Sequence, residues 1–168
     1  MSETGRDENE TPETPQPTPR LADHLCFSVY ALAHAFNRAY KPLLDRVGLT
    51  YPQYLVLLTL FEASELTVKA IGDRLGLDSG TLSPLLKRLE SAGIVSRLRD
   101  ARDERQVLIR PTPAGLALKP AIVDIHRAIG RAVGCSLSDA EALQRQLRDL
   151  TARLEATSQT AAPGKGDA

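Results

Sequence analysis

Tryptophan is absent from these 168 residues, and the chain holds only three phenylalanines, four tyrosines, one methionine, three histidines and two cysteines. Each scarcity removes a class of protein. Two cysteines are too few for the disulfide framework of a small secreted scaffold; in a reducing compartment they are small core residues or redox-active thiols. His24, His34 and His126 show no metal-ligand spacing with each other or with the cysteines, so neither a metal site nor a cofactor is expected. No apolar run approaches the roughly 20 residues of a membrane span. The first residues lack the basic region and apolar core of a secretory leader, so the expected location is the cytoplasm, with no membrane partner. Net charge is missing too, since 21 Lys and Arg balance 21 Asp and Glu. That balance argues against a nonspecific nucleic-acid coater, whose affinity would come mostly from neutralising phosphates.

What is present is helical period, in a chain long enough for one domain with one core. Residues 1–20 are rich in Glu, Thr and Pro without apolar period and read as a disordered tail, as do residues 157–168. In residues 21–48, Leu21, Leu25, Val29, Leu32, Phe36, Tyr40, Leu43 and Val47 recur at three- and four-residue steps. They predict a long helix, kinked at Pro42 and ended by Gly48. Thr50 and Gln53 form a capping box for a second helix through Leu55, Val56, Leu57, Leu58, Leu60 and Phe61. That helix is apolar on nearly all sides and must be buried.

The stretch from Leu66 to Arg110 organises the rest. Thr67 is an N-cap type, followed by Val68, Ala70, Ile71 and Leu75 at helical spacing and a stop at Gly76. Asp78 or Ser79 then starts another helix with an apolar side of Leu82, Leu85, Leu86 and Leu89, ended by Gly93. Two short helices joined by a tight glycine turn make a helix-turn-helix. Two strand-like runs follow, Ile94 to Arg99 and Arg105 to Arg110, around the charged tip Asp100-Ala101-Arg102-Asp103-Glu104. This is a hairpin wing. From Lys87 to Arg110 seven basic residues face four acidic ones, a local net of +3 on a neutral body, which fits a specific dimeric reader.

Beyond the wing, Thr112 caps a helix beginning at Pro113 and running to about Val133 through Leu116, Leu118, Ile122, Ile125 and Ile129, with Pro120 expected to bend it near its start. Ser138 and Glu141 read as a capping box for a last helix with the stripe Leu143, Leu147, Leu150 and Leu154. One small winged unit cannot cover the apolar stripes of the first and last helices. The economical solution is a twofold homodimer in which they interdigitate. The expected fold is therefore mainly α with a small β wing: a winged helix-turn-helix at 50–111 within one domain at 21–156, and dimerisation helices at 21–48 and 113–156.

The run Leu77-Asp78-Ser79-Gly80-Thr81-Leu82-Ser83-Pro84-Leu85-Leu86, the wing Asp103-Glu104-Arg105 and Thr112-Pro113-Ala114-Gly115 together resemble the multiple-antibiotic-resistance-regulator (MarR) family. More closely, they resemble its two-cysteine organic-hydroperoxide-sensing repressors. The resemblance covers roughly residues 21–155, and Pro120 departs from the family pattern. It implies a cytoplasmic repressor, not an enzyme, whose partners are a palindromic double-stranded DNA operator, a second copy of the chain and an organic hydroperoxide as inducer.

On that reading the DNA-binding candidates are Ser79, Thr81, Ser83, Pro84, Lys87 and Arg88 on the recognition helix, with Asp103 and Arg105 on the wing. Lys87 and Arg88 suit phosphates or guanine edges, and Ser83 suits either. The plainer alternative is that Ser79 and Thr81 only cap and the cations are a solvated face. Arg105 suits the minor groove, and the resemblance implies that Asp103 orients it by a carboxylate–guanidinium pair. For Arg102 a surface ion pair is the plainer account.

Cys26, taken alone, is more often a buried small hydrophobe than a reactive thiol. Its place near a helix start, where the dipole favours a thiolate, and its spacing to Tyr40 and Tyr51, which matches the peroxide-sensor pattern, move the reading toward redox sensing. Fourteen helical residues span roughly 21 Å, so Tyr40 serves Cys26 only across a dimer unless the helix breaks. Cys135 is either an inert turn residue or, as the resemblance implies, the resolving thiol that forms a disulfide with Cys26 of the other subunit. Two rivals remain: a regulator of the same fold released by a small phenolic or aromatic ligand, and a thiol peroxidase. Neither a strand–C-x-x-C arrangement nor a base beside Cys26 supports the second.

Overall fold

The computed structural model describes residues 18–99, 103 and 105–160, with side chains described as far as residue 157. Of the expected tails at 1–20 and 157–168, residues 1–17 and 161–168 lie outside the described residues, as do the wing-tip residues Asp100, Ala101, Arg102 and Glu104. The chain divides into two compact units, residues 1–38 and 39–168.

The first unit holds a 3-10 turn, Leu21–Asp23, and most of helix α1, Leu25–Leu44. In the isolated chain this part of α1 stays open, with Leu25 62% and Tyr30 60% exposed. Tyr30 meets His34 edge-on at 4.3 Å between ring centroids.

In the second unit, α1 passes Pro42 and leaves α-helical geometry only at a 3-10 turn, Asp45–Val47, which closes at Gly48 in the left-handed region (φ 66°). Helix α2, Tyr51–Ala63, starts where the sequence placed its box: the Thr50 backbone N–H donates to Gln53 Oε1 at 2.8 Å. It is the centre of the core. Tyr54, Val56, Leu57 and Leu60 are almost wholly buried, and Tyr40 and Leu44 at the end of α1 are buried too.

Strand β1, Leu66–Thr67, leads into α3, Val68–Leu75, whose cap is the Thr67 hydroxyl accepting from Ala70 N–H at 3.1 Å. Gly76 ends α3 at φ 64°. The turn leads to α4, Ser79–Ser91, and here Asp78, not Ser79, is the cap, accepting from Thr81 N–H at 2.8 Å. Leu82, Leu86 and Leu89 are buried as the period required.

The hairpin forms from β2, Val95–Arg99, and β3, Val107–Pro111, antiparallel with Arg97 opposite Ile109. Strand β1 adds to the other edge of β3, giving the order β1-β3-β2. Two residues carry too little alternation for sequence reading to have found β1.

The single helix expected from Pro113 to Val133 is two: α5, Pro113–Ala117, and α6, Lys119–Val133, broken at Leu118. Pro120 therefore does not bend a helix. It occupies the first turn of α6, where a missing N–H costs nothing. Helix α7, Leu137–Thr160, is held at its start by Ser136, whose hydroxyl accepts from Asp139 N–H at 3.1 Å. Ser136 displaces the expected cap Ser138, and α7 continues into the first residues of the expected C-terminal tail. Leu137, Leu143, Leu147 and Leu154 are exposed in the isolated chain. Among the described residues, no helix is long and apolar enough to cross a membrane.

One seam joins the wing to α5. The Ile94 carbonyl accepts from the Thr112 backbone N–H at 3.0 Å, and the Thr112 hydroxyl donates to the Gly93 carbonyl at 2.6 Å while capping Gly115 N–H at 3.1 Å. A Cβ on Gly115 would lie 2.1 Å from the Ile94 oxygen. Gly115→Ala should therefore destabilise by about 3 kcal/mol, because backbone must move. Thr112→Ala should cost about 1 kcal/mol for the lost cap. Denaturant midpoints decide; a Gly115→Ala protein as stable as the parent contradicts the seam.

Candidate nucleic-acid interface and thiol positions

Helix α4 has its leucines on one side, so its other side is fixed by geometry. Ser79, Thr81, Ser83, Pro84, Lys87 and Arg88 are all exposed there. Thr81 is half committed to the cap, its hydroxyl donating to Asp78 Oδ2 at 3.0 Å. Those two hydrogen bonds from Thr81, backbone first, hold the Asp78 carboxyl below the usual carboxylate range. Arg88 borders a cleft of about 320 Å³ that Thr81, Pro84 and Leu85 share with Thr50, Pro52 and Gln53 at the start of α2.

The basic patch sorts into two kinds of cation. Arg110 is paired with Glu65, and Arg97 Nε lies 2.9 Å from Glu90 Oε2, with Arg97 Nη2 donating to the Ser83 carbonyl at 3.4 Å. Among the described residues, no ion pair engages Lys87, Arg88, Arg99 or Arg105. These four remain available to an anionic partner.

At the wing, the expected carboxylate–guanidinium pair between Asp103 and Arg105 is not among the contacts of the described residues. The Asp103 carboxylate instead accepts from the Gln106 side-chain amide at 3.0 Å and from the Arg105 backbone N–H at 3.1 Å. Both bonds favour the carboxylate, the Gln106 one more, and lower its pKa. Asp103 thus shapes the turn through the backbone and does not grip the guanidinium.

Both cysteines are free and exposed. Cys26 is the second residue of α1, and Cys135 sits between Gly134, left-handed at φ 69°, and Ser136, ahead of α7. Within the second unit Tyr40 and Tyr51 come together, ring centroids 4.8 Å apart, and Tyr54 completes a cluster at 5.4 Å from Tyr40 and 6.1 Å from Tyr51. Tyr54 was not singled out from the sequence, although its three-residue step from Tyr51 puts both on one side of α2. Arg97 and Glu90 were missed as well. Desolvation by burial pushes all three phenols above their ordinary range, Tyr40 most, with the neighbouring phenols and a hydrogen bond to Tyr54 adding to it. Each therefore keeps its proton. Among the described residues, no group of three or more His, Cys, Asp or Glu could hold a metal ion.

A helix-turn-helix whose second helix lies against a β-hairpin is the winged-helix architecture of transcription regulators. Residues 38–122 match the SarA/Rot transcriptional regulator family. The HTH-type transcriptional regulator TtmR of Methylorubrum extorquens (strain PA1) is 49% identical over 156 residues, 93% of this chain and 75% of its own length. The organic hydroperoxide resistance transcriptional regulator of Bacillus subtilis (strain 168) is 46% identical over 136 residues, 81% of this chain and 90% of its own. Among solved structures, reduced AbfR bound to DNA superimposes with a TM-score of 0.72 at 37% identity, covering 82% of this chain and 94% of that one. AbfR, from Staphylococcus epidermidis, is also similar in its disulfide form, with a TM-score of 0.59 at 41% identity over 78% of this chain and 92% of that one. The chain belongs to the SarA/Rot family of MarR-like winged-helix transcriptional regulators.

The raised phenols make a prediction of their own. A phenol whose folded pKa lies above its unfolded value near 10 contributes stability that is complete below that value and is lost as pH rises toward the folded one. The parent should lose denaturant stability as pH rises from about 10 to about 12, and Tyr40→Phe should lose less. Equal losses in the two proteins would show that Tyr40 ionises as freely as an exposed phenol.

Proposed function

We propose that this regulator is a homodimeric, DNA-binding repressor that senses organic hydroperoxides through Cys26 and releases its operator on oxidation. The observation that carries the reading is the Tyr40–Tyr51–Tyr54 cluster, which gathers three of the four tyrosines of the chain and keeps their protons. A protonated phenol donates to a thiolate and so favours it. Fourteen residues of helix, the spacing from Cys26 to Tyr40 in the sequence, rise roughly 21 Å, farther than a phenol reaches. The phenol serving a given sulfur is therefore that of the second copy, and the sensor is assembled at the dimer interface. The relative named for organic hydroperoxide resistance and the likeness to AbfR in a disulfide form support this reading.

The chemistry follows from the thiol. The Cys26 thiolate attacks a peroxide oxygen and the O–O bond breaks. Sulfur is oxidised to the sulfenic acid, and the peroxide is reduced to an alkoxide, which takes up a proton and leaves as the alcohol. The Cys135 thiolate of the other subunit then attacks that sulfur, an S–S bond forms as the S–O bond breaks, and the departing hydroxide takes up a proton and leaves as water. Residues 21–48 and 113–156 form the dimer, covering apolar side chains such as Leu25, Leu32, Val123 and Leu143 that the isolated chain exposes. Residues 50–111 form the reading head. Ser79, Thr81, Ser83, Pro84, Lys87 and Arg88 face the major groove, and Arg105, on a turn shaped by Asp103, enters the flanking minor groove. Two half-sites about one helical turn apart match the twofold dimer.

Treating the reduced protein with an organic hydroperoxide should give a dimer-sized band on a non-reducing denaturing gel, lost on adding reductant. Cys135→Ser should stop at a sulfenic acid that a dimedone probe traps, and Cys26→Ser should give neither product. A monomer-sized product with both thiols consumed would rule out the cross-subunit bond.

The DNA side is tested separately. Arg105→Ala should weaken operator binding by about 1–3 kcal/mol, as a specific groove contact would. Lys87→Ala should reduce the slope of log affinity against log salt by about one, as a lost phosphate contact does. Unchanged affinity in both variants would move the interface elsewhere.

A further inference from the structure

Strand alternation puts Arg97 on an unusual side of β2 for a cation. Val95, two residues earlier, is 2% exposed, and Ile109, opposite Arg97 on β3, is 0% exposed. Arg97 therefore shares the face of the sheet that closes the core against α4. A guanidinium there has to extend along apolar surface to acceptors at its edge. It finds two on α4: the Glu90 carboxylate, 2.9 Å from Nε, and the Ser83 carbonyl, 3.4 Å from Nη2. Nε itself is buried and makes no aligned hydrogen bond, so Glu90 holds it by charge contact. Ser83 and Glu90 are seven residues apart, two helical turns, with Lys87 and Arg88 between them. One wing side chain thus grips the recognition helix at two levels.

We propose that Arg97 is a positioning residue for DNA recognition, fixing α4 relative to the hairpin so that Lys87, Arg88 and Arg105 meet one duplex together. The role rests on the DNA-binding reading above. Arg97 is committed to α4 and is not itself a phosphate contact. Its side chain and that of Glu90 are 31% and 42% exposed, and an exposed pair of this kind contributes little to global stability. The effect belongs in local order and in affinity.

Glu90 supplies a test whose sign decides. Removing an acid beside a DNA-binding surface should strengthen binding through simple electrostatics. If the acid instead holds the brace, its removal weakens binding. A duplex is first selected from a random pool by the reduced, full-length parent. Affinity for it is then measured across a salt series for Glu90→Gln, Arg97→Met and the double variant, alongside amide hydrogen exchange along α4. Each single variant should bind about tenfold more weakly with an unchanged salt slope and exchange faster in α4. The double variant should be no worse than Arg97→Met. Binding by Glu90→Gln as tight as or tighter than the parent overturns the proposal, as does unaltered exchange in α4. A salt slope lower by about one in Arg97→Met overturns it in favour of a phosphate contact. Failure of the parent to select any duplex overturns the DNA reading itself, and this role with it.

Discussion

Helix α2 gives most of its surface to the core, keeping a half-exposed stripe of Tyr51, Leu55, Leu58 and Phe61 and the exposed Pro52 and Glu62 toward water. Val56, Leu57 and Leu60 are fully buried and Tyr54 nearly so, on different sides of one 13-residue helix. Exposing a leucine of this kind forfeits on the order of 1.5–3 kcal/mol. The winged unit is arranged as the enclosure of that helix: α3, α4 and β3 all pack on it, and Tyr40 and Leu44 at the end of α1 join the core. Because α4 turns Leu82, Leu86 and Leu89 inward to help close it, the opposite side of α4 is presented outward as a consequence. The face that suits a nucleic-acid groove is the reverse side of a packing requirement.

The same enclosure fixes which charges are available. Arg110 is tied to Glu65 after α2, and Arg97 is tied to α4, so both serve the architecture. Lys87, Arg88, Arg99 and Arg105 remain unpaired among the described residues. A local surplus of charge read from sequence does not distinguish these two groups, since pairing depends on which strand face a residue occupies. Burial acts on the Tyr40 and Tyr51 phenols as well, raising the pKa of each by desolvation.

Local rules made much of the fold legible. The caps at Thr67 and Thr112, the Thr50–Gln53 box and the stops at Gly48 and Gly76 each involve residues within four positions of one another. Where two local rules competed, sequence reading erred. Ser136 and Ser138 both stand three residues before an acid, and the first took the cap. Pro120 reads as a kink in one long helix or as the first turn of a new one, and the break at Leu118 decided for the second. Strand β1 depends on β3, more than forty residues away, and had no period of its own. Arg97 could have been found, because the alternation Val95-Ser96-Arg97 places it beside a core residue. The exposure of the α4 candidates followed from the leucine period, whereas the meeting of Tyr40 at the end of α1 with Tyr51 and Tyr54 on α2 depends on how two helices pack and has no local signal.

The central claim is that oxidation of Cys26 by an organic hydroperoxide releases DNA. Fluorescence anisotropy of a labelled operator duplex, bound by the reduced protein and titrated with cumene hydroperoxide, tests it most directly. The account predicts that anisotropy falls to the free-duplex value, that reductant restores it, and that the Cys26→Ser complex does not respond. Release from Cys26→Ser at the same peroxide concentration, or a parent complex that keeps its DNA while Cys26 is fully oxidised, would contradict the account.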